Sequence, residues 1–363
     1  MSMKKKHWRI FAVAVILLFA LTAGAAWGFN RYYTRLLTPI NKQNDRPITV
    51  TIPSGASVRD MAQILEKKEL VRKAWAFEFY ARWNHLNTYR SGTYSFNQTM
   101  SIGQLMNNLK NGAHRGIIVL VDVRQGMWVS EVAAQMANAA KLDKQDVLKK
   151  LKDHNYVNDH YVTKYPFLTN EIFKKGIEYP LEGYLAPGIY RFKKGKSPLT
   201  LDQMVNKMLD QTAQRLHTYS GEIKTNKLGS VHKILTMASL IEQEAPDQKN
   251  REKIAGVFYN RLDLGMRLQT DPSIAYGQQR RIRAYTKKDL KTDTPYNTYT
   301  RSGLTVGPIG APALDAIEAV LRPIKSKNIY FYARPNGKVY YSQTYEQHQE
   351  VIAKYRHEWA EKS

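Results

Sequence analysis

The run Ile48-Thr49-Val50-Thr51-Ile52-Pro53-Ser54-Gly55, followed by a helical pattern from Val58, reads as strand, tight turn and helix. The alternating β-branched residues make the strand, and Pro-Ser-Gly supplies the turn. The same order returns at 117–123, Arg124-Gln125-Gly126 and Val129 onward. Setting Gly55 on Gly126 pairs Val58 with Val129, Met61 with Val132, Ala62 with Ala133 and Leu65 with Met136. Such a match suggests a duplicated strand–turn–helix unit, with too few copies for a solenoid. Between the copies, Tyr89–Phe96 predicts a strand and Ser101–Leu109 a short helix ended by Asn111-Gly112. Downstream, helices over Lys144–Lys152 and Leu201–Leu216 flank a Pro/Gly-interrupted stretch, Tyr179–Arg191, and 230–277 is mainly helical. Near the end, Ile329–Ala333 and Lys338–Ser342 flank Pro335-Asn336-Gly337, which predicts a hairpin with a type I′ turn. An amphipathic helix, Tyr345–Trp359, closes the chain. Strands and helices do not alternate regularly, so the expected class is α+β rather than a doubly wound sheet.

With 363 residues the chain can bury a full core and hold more than one domain. Lys and Arg outnumber Asp and Glu 55 to 31, a net charge of +24 that favours contact with a polyanion. The cations are scattered, and no zinc-finger spacing or nucleic-acid signature accompanies them, so no nucleic-acid partner is expected. The absence of cysteine excludes disulfides, thiol catalysis and cysteine-ligated metal.

Lys4, Lys5, Lys6, His7 and Arg9 precede an uncharged stretch, Ile10–Phe29, and Arg31 follows it. A helix of that length covers about 30 Å, enough to cross a bilayer core. The basic cluster on its N-terminal side keeps that end cytoplasmic and exports the remainder. A cleaved signal peptide is the competing reading, with Ala23-Gly24-Ala25 as its small-residue site; the length of the apolar run favours a retained anchor. The expected organisation is a basic tail (1–9), a transmembrane anchor (10–29) in the cell membrane, a linker (30–47) and two extracytoplasmic domains (48–116 and 117–361).

Ser230 is a plausible N-cap for the helix Val231-His232-Lys233-Ile234-Leu235-Thr236-Met237-Ala238-Ser239-Leu240-Ile241-Glu242-Gln243-Glu244, and Pro246 marks its end. On a helical wheel Val231, Ile234, Leu235, Ala238 and Ile241 share one arc, with Glu242 inside it at about 20° from Val231. Glu244 falls at about 220°, beside Lys233, and is expected at the surface. A carboxyl on the apolar face loses hydration, which raises its pKa and suits it to general-acid work. The wheel leaves open a second possibility, a buried ion pair with an arginine. Ser230-Val231-His232-Lys233 fits a Ser-x-x-Lys pattern, but the companion Lys-Thr-Gly is absent. Asp153-His154 and Asp159-His160 lack a metal-binding frame and read as a solvated loop. Neither a cofactor nor a metal is expected.

Ala238–Glu244, Val257-Phe258-Tyr259-Asn260-Arg261-Leu262, Gly265–Pro272, Tyr296-Asn297-Thr298-Tyr299-Thr300 and Gly307-Pro308-Ile309 follow one another in an order that resembles the MltG (YceG-like) family of endolytic murein transglycosylases. Leu181-Glu182-Gly183-Tyr184-Leu185 and Pro187 match a further family segment, and the anchor and a LysM-like Ile52-Pro53-Ser54-Gly55 unit also fit. The resemblance covers nearly the whole chain. It implies non-hydrolytic cleavage of the β-1,4 bond between N-acetylmuramic acid and N-acetylglucosamine, leaving 1,6-anhydromuramoyl ends, with Glu242 as the catalytic glutamate. It further implies a LysM-like subdomain at 48–116, a YceG-like catalytic domain at 117–361, peptidoglycan glycan strands as substrate, and penicillin-binding proteins or other wall-synthesis machinery as partners. Gln269, Asp271, Tyr296, Asn297 and Tyr299 carry the groups that sugar binding uses, and Glu182 is a candidate auxiliary carboxylate. Asp271 before Pro272 also reads as a helix N-cap. One family segment appears as Leu185-Ala186-Pro187-Gly188-Ile189-Tyr190, with glycine in place of an acidic residue, so no contact of that side chain carries over. The rivals are a non-catalytic wall-binding protein, with Glu242 as a structural acid, and a hydrolytic muramidase.

Overall fold

The computed structural model describes residues 3–86, 88–113, 116, 118–193, 198–245, 247–282 and 284–360. It divides into two compact units, Met1–Val119 with Phe192–Ser197, and Leu120–Arg191 with Pro198–Ser363.

In the first unit a long helix α1 (Met3–Leu37) leads into β1 (Ile48–Ile52), α2 (Val58–Lys67), α3 (Ala74–Trp83), β2 (Gly92–Phe96) and α4 (Ile102–Asn111). β1 and β2 are antiparallel, in a register that sets Ile48 opposite Phe96 and Ile52 opposite Gly92. Val50, Ile52, Tyr94 and Phe96 point from this sheet into a core completed by Met61, Leu65, Phe77 and Leu105. Ser57 and Ser101 each form a capping box, with Asp60 and Gln104 respectively, which fixes where α2 and α4 begin. Gly112, in the left-handed conformation, ends α4. The side chains of residues 3–16 and 18, which include residues 10–16 and 18 of the expected anchor, lie outside the described residues. Among the described residues no helix is long and apolar enough to cross a membrane.

β3 (Ile118–Val123) spans the boundary at Val119, and α5 (Val129–Ala140) follows it to complete the second strand–turn–helix unit. Val132, Ala133 and Met136 are buried in it, as Met61, Ala62 and Leu65 are in the first, and the glycines of both turns have positive φ (Gly55 +77°, Gly126 +72°). Then follow α6 (Lys144–Lys152), β4 (Gly188–Lys193), α7 (Leu201–Thr218), α8 (Val231–Glu244), α9 (Gln248–Asp263), α10 (Asp271–Gly277), α11 (Leu314–Leu321), the hairpin β5 (Tyr330–Ala333) and β6 (Val339–Ser342), and α12 (Tyr345–Tyr355). β3 pairs with β4 and β5 with β6, so the class is α+β with small two-stranded sheets.

Two local expectations change. Gly337 alone in the hairpin turn has positive φ, and its N–H donates to the Arg334 carbonyl at 3.0 Å. That is a type I turn closed by a left-handed glycine rather than type I′, which would need positive φ at Asn336 as well. The stretch expected as a loop around His154 and His160 is helical, because the Asp153 carboxylate accepts from the amides of Asn155 and Tyr156.

Candidate active site

Helix α8 begins where Ser230 accepts a hydrogen bond from the Lys233 amide. It packs against α9, α10 and α11, and every residue from Ile234 to Glu242 is buried. A helix buried on all sides has no solvent face. The wheel's division into an apolar and a polar side therefore does not separate the two glutamates; what surrounds each carboxyl does.

Glu242 is buried, as its position on the apolar arc predicts, but both its oxygens are engaged. Oε1 accepts from Arg251 Nη2 at 2.7 Å, and Oε2 accepts from the Ala313 amide at 2.9 Å. Ala313 is the N-cap of α11, so the carboxylate sits at the positive end of that helix. Arg251 grips Asp315 with its other terminal nitrogen. The Arg251 and Glu242 side chains are 6% and 3% exposed. Burial pushes the Glu242 carboxyl up, while the Ala313 amide and Arg251 pull it back down. This clasp ties α8, α9 and α11 together and engages both oxygens of the carboxyl.

Glu244, the last residue of α8, is the reverse case. The expected surface residue lines a cleft of about 370 Å³ together with Arg261, Gln269, Asp271 and Tyr299. The opposite wall comes from the C-terminal hairpin and α12, through Tyr330, Tyr332, Tyr345 and His348. The wheel missed this because residues far downstream cover that side of the helix. Burial first, and the negative charge of Asp271 second, push the Glu244 carboxyl up to about 8, with Arg261 opposing. Arg261 does not neutralise it by contact. Its Nε and Nη1 donate to the carbonyls of Ile329 and Leu268, both at 2.6 Å, bonds that hold the hairpin and the Gln269 turn in place as cleft walls.

Three of the expected ligand contacts share this cleft. Gln269 is exposed and has a left-handed backbone (φ +52°), rare outside glycine, held by its amide donating to the Thr298 carbonyl at 3.1 Å. Asp271 accepts from the Tyr299 hydroxyl at 2.6 Å. It does not cap α10 as expected: Thr270 is the N-cap, and Asp271 and Pro272 are the first two helical residues.

The other three lie elsewhere and are structural. Tyr296 is 3% exposed, packs edge-on against Tyr276 at 4.7 Å, and accepts from the Glu178 amide. Asn297 is 1% exposed; its amide donates to the carbonyls of Leu290 and Thr292, and its oxygen accepts from the Tyr299 amide. Glu182, also 1% exposed, accepts from the Val129 amide at the start of α5 and from the Tyr276 hydroxyl at 2.8 Å. Burial pushes its carboxyl up to about 8.

The site as built offers an unpaired carboxyl that burial makes hold its proton more tightly, a second carboxylate in the same cleft, and aromatic walls. That set can donate a proton to a leaving oxygen and stabilise positive charge on the carbon left behind.

Comparison with known proteins gives a consistent answer. The model of the YceG-like family matches residues 50–354. A protein of Bacillus subtilis named endolytic murein transglycosylase is 38% identical over 324 residues, covering 89% of each chain. One of the same name from Streptococcus pneumoniae is 32% identical over 367 residues, covering 96% of this chain and 66% of its own length. The crystal structure of a YceG-like protein from Listeria monocytogenes superposes with a TM-score of 0.61 at 37% identity, covering 85% of this chain and 99% of that one.

Proposed function

The chain belongs to the YceG-like family, and from that membership we propose that it is an endolytic murein transglycosylase with Glu244, rather than Glu242, as its acid/base. The observation that carries the assignment is the contrast between the two carboxyls on α8: one held by Arg251 and Ala313, the other unpaired in a cleft and pushed up to about 8.

Glu244 donates its proton to the glycosidic oxygen between N-acetylmuramic acid and N-acetylglucosamine, and the C1–O bond breaks. Positive charge grows on C1 and the ring oxygen, where the Asp271 carboxylate lowers its energy. The Glu244 carboxylate then takes the proton from the muramoyl C6 hydroxyl as that oxygen closes on C1. No water is consumed, one carboxyl serves both steps, and the product ends in 1,6-anhydromuramic acid. A retaining hydrolase would use a second carboxylate as nucleophile about 5–5.5 Å from the first. Asp271 stands in the same cleft, so product identity is the deciding experiment. Anhydro ends, lighter by one water, support the transglycosylase; reducing ends as the main product reject it.

The membrane reading rests on the N-terminal unit. Leu17, Phe19, Leu21, Trp27 and Phe29 of α1 are all more than half exposed, which is costly in water and natural in lipid. At its C-terminal end Phe29 and Tyr33 stack on Trp75, and Tyr33 meets Phe79 edge-on, building an aromatic cluster of the kind found where a span leaves the bilayer. We read α1 as a single-pass anchor with the enzyme outside the cytoplasm. The β-α-α-β order of 48–96 supports a LysM-like, glycan-binding reading of 48–116, with 117–361 as the catalytic domain. The wall-synthesis machinery remains the proposed partner.

A further inference from the structure

An enzyme that cuts within a strand must hold sugars on both sides of the broken bond, and the cleft already described lies on one side of Glu244. A second, smaller cavity of about 130 Å³ is lined by Trp128, Gln243, Pro272, Arg281, Tyr285 and Ile309, with Ile282 at its rim. The two are neighbours through the chain itself. Gln243 precedes Glu244 and Pro272 follows Asp271, so one helix end and one turn present a residue to each cavity. Tyr285 feels the charges of both Asp271 and Glu244, which add to burial in pushing its phenol up to about 12.

The cavity is built rather than incidental. The Arg281 guanidinium carbon sits over the Trp128 ring, 4.0 Å from its centroid, and the group is tied to Glu131 at 2.7 Å and to the Gly126 carbonyl at 3.0 Å. Gln243 donates to that same carbonyl at 3.1 Å, which fixes its side chain. Its amide oxygen and the Tyr285 hydroxyl have no hydrogen-bond partner among the described residues, while Trp128, Pro272 and Ile309 are apolar. The volume equals roughly four waters' share of liquid. Four heavy atoms, one donor, one acceptor and a methyl describe an acetamido group.

We propose that this cavity is a subsite on the far side of Glu244 that takes the 2-acetamido group of an N-acetylglucosamine, with Gln243 and Tyr285 meeting its amide and the apolar walls its methyl. The inference rests on the transglycosylase reading and adds a specificity that nothing in that reading requires. A free amine at the same position would bring a charged ammonium among apolar walls and beside Arg281, and would be rejected.

The test compares intact glycan strands with strands de-N-acetylated only at glucosamine, so that the muramoyl acetamido next to the reacting carbon is unchanged. For the full-length protein, kcat/KM for release of anhydro ends should fall by at least on the order of 10- to 200-fold on the de-N-acetylated strands, the range for one methylene lost from a fitted apolar pocket. Ile282→Trp, at a half-buried residue of the same cavity's lining, should fill the cavity, raise KM on intact strands and shrink the discrimination below about 3-fold, well under that range. Tyr285→Phe, which keeps the ring, should raise KM with little change in kcat. Equal cleavage of both substrates by the wild type overturns the subsite alone. A wild type that yields no anhydro ends from either overturns it together with the reading beneath it. Unchanged KM in Tyr285→Phe, with discrimination intact in Ile282→Trp, also overturns it.

Discussion

At the residue scale the two glutamates of α8 make opposite demands, and substitution separates them. Glu244→Gln keeps the shape but removes the transferable proton, so turnover should drop by about 10²–10⁴-fold, as for loss of a general acid, with folding retained. Glu242→Gln leaves Arg251 buried without its full charge partner. It should cost about 3–5 kcal/mol of stability, the range for breaking a buried pair, read as a lower denaturant midpoint, while the folded fraction keeps its kcat. Full activity in Glu244→Gln, or a fully stable but inactive Glu242→Gln, contradicts the assignment. The pH dependence follows with its sign. The acid must be protonated, so kcat/KM should decline as pH rises through about 8. Because burial holds the Glu244 and Glu182 carboxyls above their unfolded values, the folded state binds their protons more tightly. The stability they contribute is complete below the unfolded pKa and is lost as pH climbs toward about 8. Glu244→Gln should therefore be less sensitive to alkaline unfolding than the wild type. Sequence could show that Glu242 is buried and that Ser230 starts the helix, since both follow from periodicity and local chemistry. It could not show which carboxyl meets Arg251, because that contact needs the angle between α8 and α9.

At the scale of elements, strands and caps follow short-range rules and were readable: β1 with its turn, α4 stopped at Gly112, α6 in full. Helix α3 escaped, because its aromatic-rich run, Ala74–Trp83, shows no clean polar face. The cleft escaped too. Its far wall is a hairpin whose existence was legible at Asn336-Gly337 but whose docking over the end of α8 was not. Helix α9 offers a test of packing against propensity. Gly256 lies inside it, where alanine would gain about 0.8–1.0 kcal/mol of helix propensity. A Cβ there would sit 2.3 Å from the Ile324 carbonyl oxygen, a backbone atom that cannot swing aside. Overpacking of about 1–3 kcal/mol should win, so Gly256→Ala is expected to unfold at lower denaturant than the wild type. A stabilised variant would show that the Ile324 segment yields.

At the scale of the whole molecule, two statements can be separated by fractionation and by chemistry. If α1 is an anchor, the full chain should partition with membranes and resist extraction by high salt, whereas a variant beginning at residue 30 should be released. Salt release of the full chain would reduce the attachment to the surface charge of +24. The family's motifs were legible end to end, because they are local strings. The geometry that chooses between the glutamates was not, because it is assembled from α8, the Gln269 turn and the C-terminal hairpin. The most direct measurement is mass spectrometry of muropeptides released from intact glycan strands by the wild type, Glu244→Gln and Glu242→Gln. The account predicts 1,6-anhydromuramoyl ends from the wild type and from folded Glu242→Gln, and none above background from Glu244→Gln. Reducing ends from the wild type, or anhydro ends released at the wild-type rate by Glu244→Gln, would contradict it.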